Sequence, residues 1–146
     1  MSFNKDLQFG KCYESKFLDY LAFDEYDEIE VCPDGRFAKW DIRIKKGDKY
    51  TTYEIKADKR SASTGNVCVD YECSRQPSGI TTTCADYYGY FVVGRQDECY
   101  IIPTSVIREE CMKPFIRSIY CGDGNRARAF LLPLSVFSKY KVEKKR

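Results

Sequence analysis

Between Ala38 and Ala57 the chain alternates with a period of two on both sides of a tight turn, and no other feature constrains its fold as strongly. Ala38-Lys-Trp-Asp-Ile-Arg-Ile-Lys45 is one run and Tyr50-Thr-Thr-Tyr-Glu-Ile-Lys-Ala57 is the other, with Lys46-Gly47-Asp48-Lys49 between them. Successive side chains of a strand leave opposite faces of a sheet, so the pattern predicts a β-hairpin. Trp40, Ile42 and Ile44 then share one face, and Asp41, Arg43 and Lys45 the other. On the returning strand Glu54 and Lys56 share a face, with Tyr53 and Ile55 opposite.

The flanking segments supply the rest of an α/β domain. Lys11 to Ala22 carries Tyr13, Phe17, Leu18, Tyr20 and Leu21 at helical spacing, with Glu14 close to the Phe17/Leu18 face. Glu28 to Cys32 is extended and ends at the turn Pro33-Asp34-Gly35. After a polar loop, Asp58 to Asn66, a third strand is expected over Val67 to Cys73. Ser78-Gly79 opens a short helix over Ile80 to Asp86. Strands at Tyr87 to Val93 and Cys99 to Ile102 follow, then a helix from Pro103-Thr104 to Cys111. A late strand, Phe130 to Pro133, and a short helix, Leu134 to Tyr140, complete the order. With no repeats and no low-complexity stretch, the 146 residues read as one domain, a sheet with helices on its faces.

Composition removes whole classes of chemistry. The chain has no histidine, which excludes Ser-His-Asp and Cys-His catalysis and the HExxH zinc hydrolases. Hydrolysis would have to use carboxylates, Lys, Tyr, or a water activated by an oxygen-ligated metal. The eight cysteines are scattered without a CxxC pair, the pattern of buried, reduced thiols rather than of a zinc site or a disulfide scaffold. No apolar window is long enough for a membrane span and no export signal precedes the domain, so the expected location is the cytoplasm. Net charge is only +2, but it is unevenly spread. Acidic residues outnumber basic ones eight to three over residues 1–30, and basic outnumber acidic nine to two over 113–146, which ends in the basic segment Lys139 to Arg146. Such asymmetry suits a surface that follows a phosphate backbone, or a solvated tail that aids solubility.

If the polar faces of the hairpin coincide, Asp41, Glu54 and Lys56 gather on one surface. Two carboxylates on adjacent strands can hold a hard divalent cation, and a metal bridging to a phosphate lowers the pKa of its bound water. A neighbouring Lys can orient the nucleophile or offset charge building on the phosphate. Taken alone, the same spacing also describes a solvated face with cross-strand ion pairs.

The arrangement resembles the PD-(D/E)XK nuclease superfamily, in which an αβββαβ core carries an acidic residue on the first helix, an Asp, and then Glu-x-Lys on the next strand. Here Glu14, Asp41 and Glu54-Ile55-Lys56 stand in that order. Glu72-Cys-Ser-Arg-Gln-Pro-Ser-Gly-Ile80 and Thr81-Thr-Thr-Cys-Ala-Asp-Tyr-Tyr88 are similar to a segment of phage-type members, and Ile101-Ile-Pro-Thr104 and Leu131-Leu-Pro133 fit the same group. The likeness spans roughly Lys11 to Pro133. The literal Pro-Asp is Pro33-Asp34, in an apparent turn; Asp41 is preferred because it lies in the strand that faces Glu54.

The resemblance implies a DNA endonuclease of the Holliday-junction-resolvase or restriction-endonuclease-like type, dependent on Mg²⁺ or Mn²⁺ and able to act as a homodimer. Asp41, Glu54 and the Ile55 carbonyl would bind metal, and Lys56 would assist the water. It makes Glu14 a further catalytic carboxylate and Glu72 an extra metal ligand, each against the plain reading of an exposed Glu. Gln76 and Ser78 would meet a phosphate where the second core helix begins, Ser78 being equally a simple N-cap. Lys59, Arg60 and Arg75 flank the hairpin and are candidates to hold the nucleic-acid backbone. The rival readings are a catalytically inactive relative that binds nucleic acid or a protein through the same sheet, and an unrelated interaction domain.

Overall fold

A computed structural model describes residues 3–32, 39–94 and 96–145. Helix α1 (Phe3–Phe17) passes through a 3-10 turn at Leu18–Tyr20 to strand β1 (Glu28–Val31). The expected hairpin follows as β2 (Ile42–Lys46) and β3 (Lys49–Asp58), paired from Ile42–Tyr53 to Lys46–Lys49. Gly47 takes a φ of +61° in its two-residue turn, a conformation that costs glycine least. A four-residue helix α2 (Ser61–Thr64), β4 (Asn66–Cys73), the short β5 (Gln76–Pro77), β6 (Tyr87–Val92) and β7 (Glu98–Pro103) come next. The chain ends with α3 (Thr104–Cys111), β8 (Arg117–Cys121), β9 (Ala127–Pro133), a 3-10 run over Leu134–Tyr140, and β10 (Lys141–Val142).

These strands form two sheets. The first is mixed, in the order β1-β2-β3-β6-β7-β10, because β3 and β6 run parallel while its other pairs are antiparallel. The second is antiparallel, in the order β5-β4-β9-β8. The protein is a single mixed α/β domain.

Several expected elements differ in detail. The first helix starts earlier and ends at Phe17 rather than Ala22. The third strand of the first sheet is β1; Val67 to Cys73 belongs instead to the second sheet. Strand pairing in the hairpin begins at Ile42, and Asp34 lies outside the described residues. The helix expected over Ile80 to Asp86 is only a 3-10 turn at Gly79–Thr81. Three consecutive threonines disfavour a helix, and the backbone leaves it when the Cys84 amide donates to the Lys39 carbonyl at 3.0 Å. The run from α1 through β1, β2 and β3 to the later parallel β6 is therefore joined by a second sheet and a short helical turn. Strands β8 and β10 escaped the periodicity reading because each is short and exposed.

Alternation on β3 creates two environments. Tyr53 and Ile55 join Phe17, Tyr13, Ile42, Ile44 and Phe91 in a core against α1. Tyr88, Tyr90 and Ile102 point the other way, into a core shared with Val67, Val69 and Leu132 of the second sheet. Glu54 and Lys56, in register with Tyr88 and Tyr90, lie on that second face. A polar pair is thus held on the rim of an aromatic core.

Candidate active site

The site is built where β2 ends and β3 continues. The Asp41 amide donates to the Tyr53 carbonyl at 2.8 Å, just before the first β2–β3 pair. Its carboxylate then does the work of a missing strand residue, as Oδ2 accepts the Ile55 amide at 2.7 Å. The amide and carbonyl of one strand residue point the same way, so the Ile55 carbonyl faces the same side, past the end of β2. Glu54 and Lys56 flank it on the adjacent face. Lys56 Nζ lies 3.8 Å from Glu54 Oε1, an ion-pair distance longer than a direct hydrogen bond. The Glu54 side chain is 15% exposed and that of Lys56 38%, so the carboxylate is recessed and the ammonium reaches solvent.

Crowding of negative charge dominates the electrostatics. Burial pushes the Glu54 carboxyl up to about 7; Lys56 opposes the rise, while Asp41 and Glu14 add to it. Asp41 is raised by burial, against the lowering effects of the Ile55 amide, Lys56 and a hydrogen bond with Glu14. Glu14, on α1, comes within hydrogen-bonding reach of Asp41 and adds its charge beside Glu54. The structure thereby brings Glu14, Asp41, Glu54 and Lys56 into one electrostatic unit.

That unit fits a hard cation in a specific sense. Among the described residues no group of three or more Cys, Asp or Glu is already arranged to hold a metal ion. The donor set available is smaller: two repelling carboxylates and a backbone carbonyl, with water to complete the shell. Two crowded carboxyls, both raised by burial and Glu54 further raised by Asp41 and Glu14, mark excess negative charge, which a divalent cation would offset.

The remaining candidates divide. Lys59 and Arg60 follow directly on β3 and line the same cleft as Lys56. Glu72 is not brought to the site: its carboxylate faces Arg128 at 4.0 Å, beyond a register shift between Asp70 and Glu72. The β4 carboxylate that Lys56 does feel is Asp70, raised by burial and pulled down by Lys56. A register shift lies between Asp70 and Glu72 on β4. Tyr88 is buried, and its hydroxyl is raised by burial and by Glu54 beside it. Gln76 and Ser78 do not open a helix. Gln76 pairs with Cys73 in β5, Ser78 precedes the 3-10 turn, and Arg75 takes a left-handed φ of 65° in the β4–β5 turn. The helix-terminus argument for a phosphate there therefore falls.

The basic end is partly docked: Lys141 bonds Glu98 at 2.9 Å and β10 pairs with β7. The cysteines are all free, but only Cys99 and Cys111 are buried, whereas Cys12, Cys73 and Cys84 are exposed. Their expected general burial does not hold. Among the described residues no helix is long and apolar enough to cross a membrane.

No protein-family model matches the chain, and no curated protein does. A solved structure of Hjc, a Holliday junction resolvase from the archaeal hyperthermophile Archaeoglobus fulgidus, is similar over 93% of this chain and 91% of its own, with 12% identity and a TM-score of 0.49. The similarity is one of chain path alone.

Proposed function

We propose that the chain is an endonuclease that hydrolyses DNA phosphodiester bonds with Mg²⁺ or Mn²⁺. The observation that carries this reading is the recessed Asp41–Glu54 pair with Lys56 beside it, on elements in the order of the resemblance drawn from sequence. Asp41, Glu54 and the Ile55 carbonyl would hold the cation. When bound, it supplies a Lewis acid for the phosphate and a more acidic water. Asp41 is oriented for that role by the Ile55 amide. Lys56, reaching solvent beside Glu54, meets the phosphate oxygens, offsets their growing charge and orients the nucleophile. Glu14 adds negative charge beside Asp41 and Glu54. Lys59 and Arg60 continue the cationic path along the backbone.

The test incubates the protein with linear duplex, single-stranded, branched and RNA substrates in Mg²⁺, Mn²⁺ or chelator. Metal-dependent cleavage of DNA, lost in Asp41→Asn, supports the proposal. Metal-independent binding without cleavage would favour an inactive nuclease-fold module.

A further inference from the structure

Beyond Lys56 the site opens into a cleft of about 520 Å³ between the end of β3, the turn into α2, and β4. That volume lies within the range of small-ligand sites. Its walls are of three kinds. Lys56, Lys59 and Arg60 make one side cationic, and the Asp58 carboxylate among them is engaged by the Arg60, Ser61 and Cys68 amides. Phe9 and Tyr90 supply aromatic surface. The Lys59 ammonium stands 4.2 Å over the Phe9 ring, so the two form one cation–aromatic wall whose ring face Lys59 covers. The Tyr90 hydroxyl is engaged with the Cys68 carbonyl at 2.7 Å, which leaves its ring as apolar wall.

The third element is an acceptor. Asp70 lines the cleft from β4, and among the described residues its carboxylate accepts only the weak Sγ–H of Cys121, at 4.0 Å. Ala127, also lining the cleft, is too small to fill the space beside it. A cationic side, an aromatic wall and an inner carboxylate together suit one ligand chemistry: an anion joined to a flat ring that bears an amino donor.

We propose that this cleft is a nucleotide subsite, taking one unpaired nucleotide next to the phosphate presented to Lys56. Its phosphate would draw Lys59 off the Phe9 ring and lie against Lys59 and Arg60, its base would take the vacated ring face, and its amino edge would meet Asp70. This inference rests on the nuclease reading for the place of the scissile phosphate. Carboxylates accept the N4 amino group of cytosine, and adenine and guanine offer comparable exocyclic donors, whereas thymine has no amino group and offers only its ring N3–H. A base in the cleft has left its stack, a cost smallest for unpaired strands. The subsite would therefore favour DNA with an unpaired C, A or G at that position.

The experiment uses full-length protein without divalent metal. It is titrated with dCMP, dAMP, dGMP, dTMP and inorganic phosphate, and binding is followed by amide shifts in nuclear magnetic resonance. Expected are shifts at residues 56–60 and 68–70, with binding of dCMP, dAMP and dGMP about tenfold tighter than dTMP, and phosphate weakest. Asp70→Asn should bring the four nucleotides within about twofold of one another, while Phe9→Ala weakens all four alike. Equal binding of dTMP and dCMP by the parent protein overturns the subsite, and so does an undiminished preference in a folded Asp70→Asn. The parent titration decides the matter if Asp70→Asn does not fold. Nucleotide preference without metal-dependent cleavage would sink the nuclease reading and leave the subsite standing. Cleavage without nucleotide preference would do the reverse.

Discussion

The Asp41 carboxylate completes the edge of β3 by accepting the Ile55 amide at 2.7 Å. One side chain thus substitutes for a strand residue and is fixed beside Glu54. This double duty separates two substitutions. Asp41→Asn keeps an oxygen for the Ile55 amide and loses the charge, so it should abolish metal-dependent cleavage while the protein melts close to the parent temperature. Asp41→Ala also strands the amide, at a cost of about 1–3 kcal/mol. Thermal unfolding and cleavage measured side by side distinguish them. If Asp41→Asn cleaves normally, Asp41 is only a strand cap.

Lys56→Ala leaves the Asp41–Ile55 bond and both carboxylates in place. Cleavage at saturating DNA and metal should fall on the order of 10²–10³-fold, with little change in DNA affinity. Single-turnover rates check the first part and equilibrium binding in chelator the second. Parent-like rates would make Lys56 a surface cation.

Without metal, the site should weaken the protein as pH rises. The Glu54 carboxyl is raised from its ordinary 4.5 to about 7, so the folded state holds the proton more tightly than the unfolded one. Its favourable contribution is full below about pH 4.5 and is lost as pH climbs to about 7, amounting to about 3 kcal/mol at most. Asp41 and Asp70, both raised, act with the same sign. Glu54→Gln should flatten part of this slope, and Mg²⁺ should restore stability above pH 7. Melting curves in chelator across that window, parent against variant, give the answer; parallel curves would show that Glu54 is not held near neutrality.

The hairpin and its alternation were legible because Ile42, Ile44, Tyr53 and Ile55 obey a period set by burial against α1. That alone placed Glu54 and Lys56 on one face. The second sheet was not legible as such. Nothing local in Val67 to Cys73 says whether it pairs with β3 or with β9, since pairing is decided by distant residues. Glu72 faces Arg128 beyond a register shift, which alternation cannot register. The 3-10 turn at Gly79–Thr81 escaped because the Lys39 carbonyl, 45 residues before Cys84, captures the chain. Glu14 was placed on α1 by spacing, but its hydrogen bond with Asp41 depends on how α1 docks.

Gly89 tests how tightly that docking is set. It pairs with Ile55, and a Cβ there would come within 2.4 Å of Phe17 Cε1 and 2.9 Å of Ile55 Cδ1. Phe17 is fully buried and cannot swing away. Gly89→Ala should therefore cost about 1–3 kcal/mol by overpacking, read as a lowered urea midpoint with an unchanged slope. Because Phe17 and Glu14 share α1, cleavage should fall as well, even where the protein remains folded. A neutral Gly89→Ala would mean that α1 moves freely over the sheet.

The basic end calls for two different cuts. Lys141 is committed to Glu98, and the Lys145 amide donates to the Asp19 carbonyl at 2.8 Å. Deleting residues 139–146 removes a strand from the β7 edge, so the melting temperature should drop, by about 2–4 °C for each kcal/mol lost, whatever DNA does. Point changes isolate the charge. Lys144→Ala and Lys145→Ala leave β10 paired, since the backbone amide of Lys145 is retained. If their ammonium groups touch phosphate, each substitution should lower the salt-dependence slope of DNA binding by about one unit. The rate at saturating DNA should stay unchanged. Binding at several salt concentrations measures the slope directly. An unaltered slope in the double variant would assign the segment to the sheet edge and leave phosphate tracking to Lys59 and Arg60.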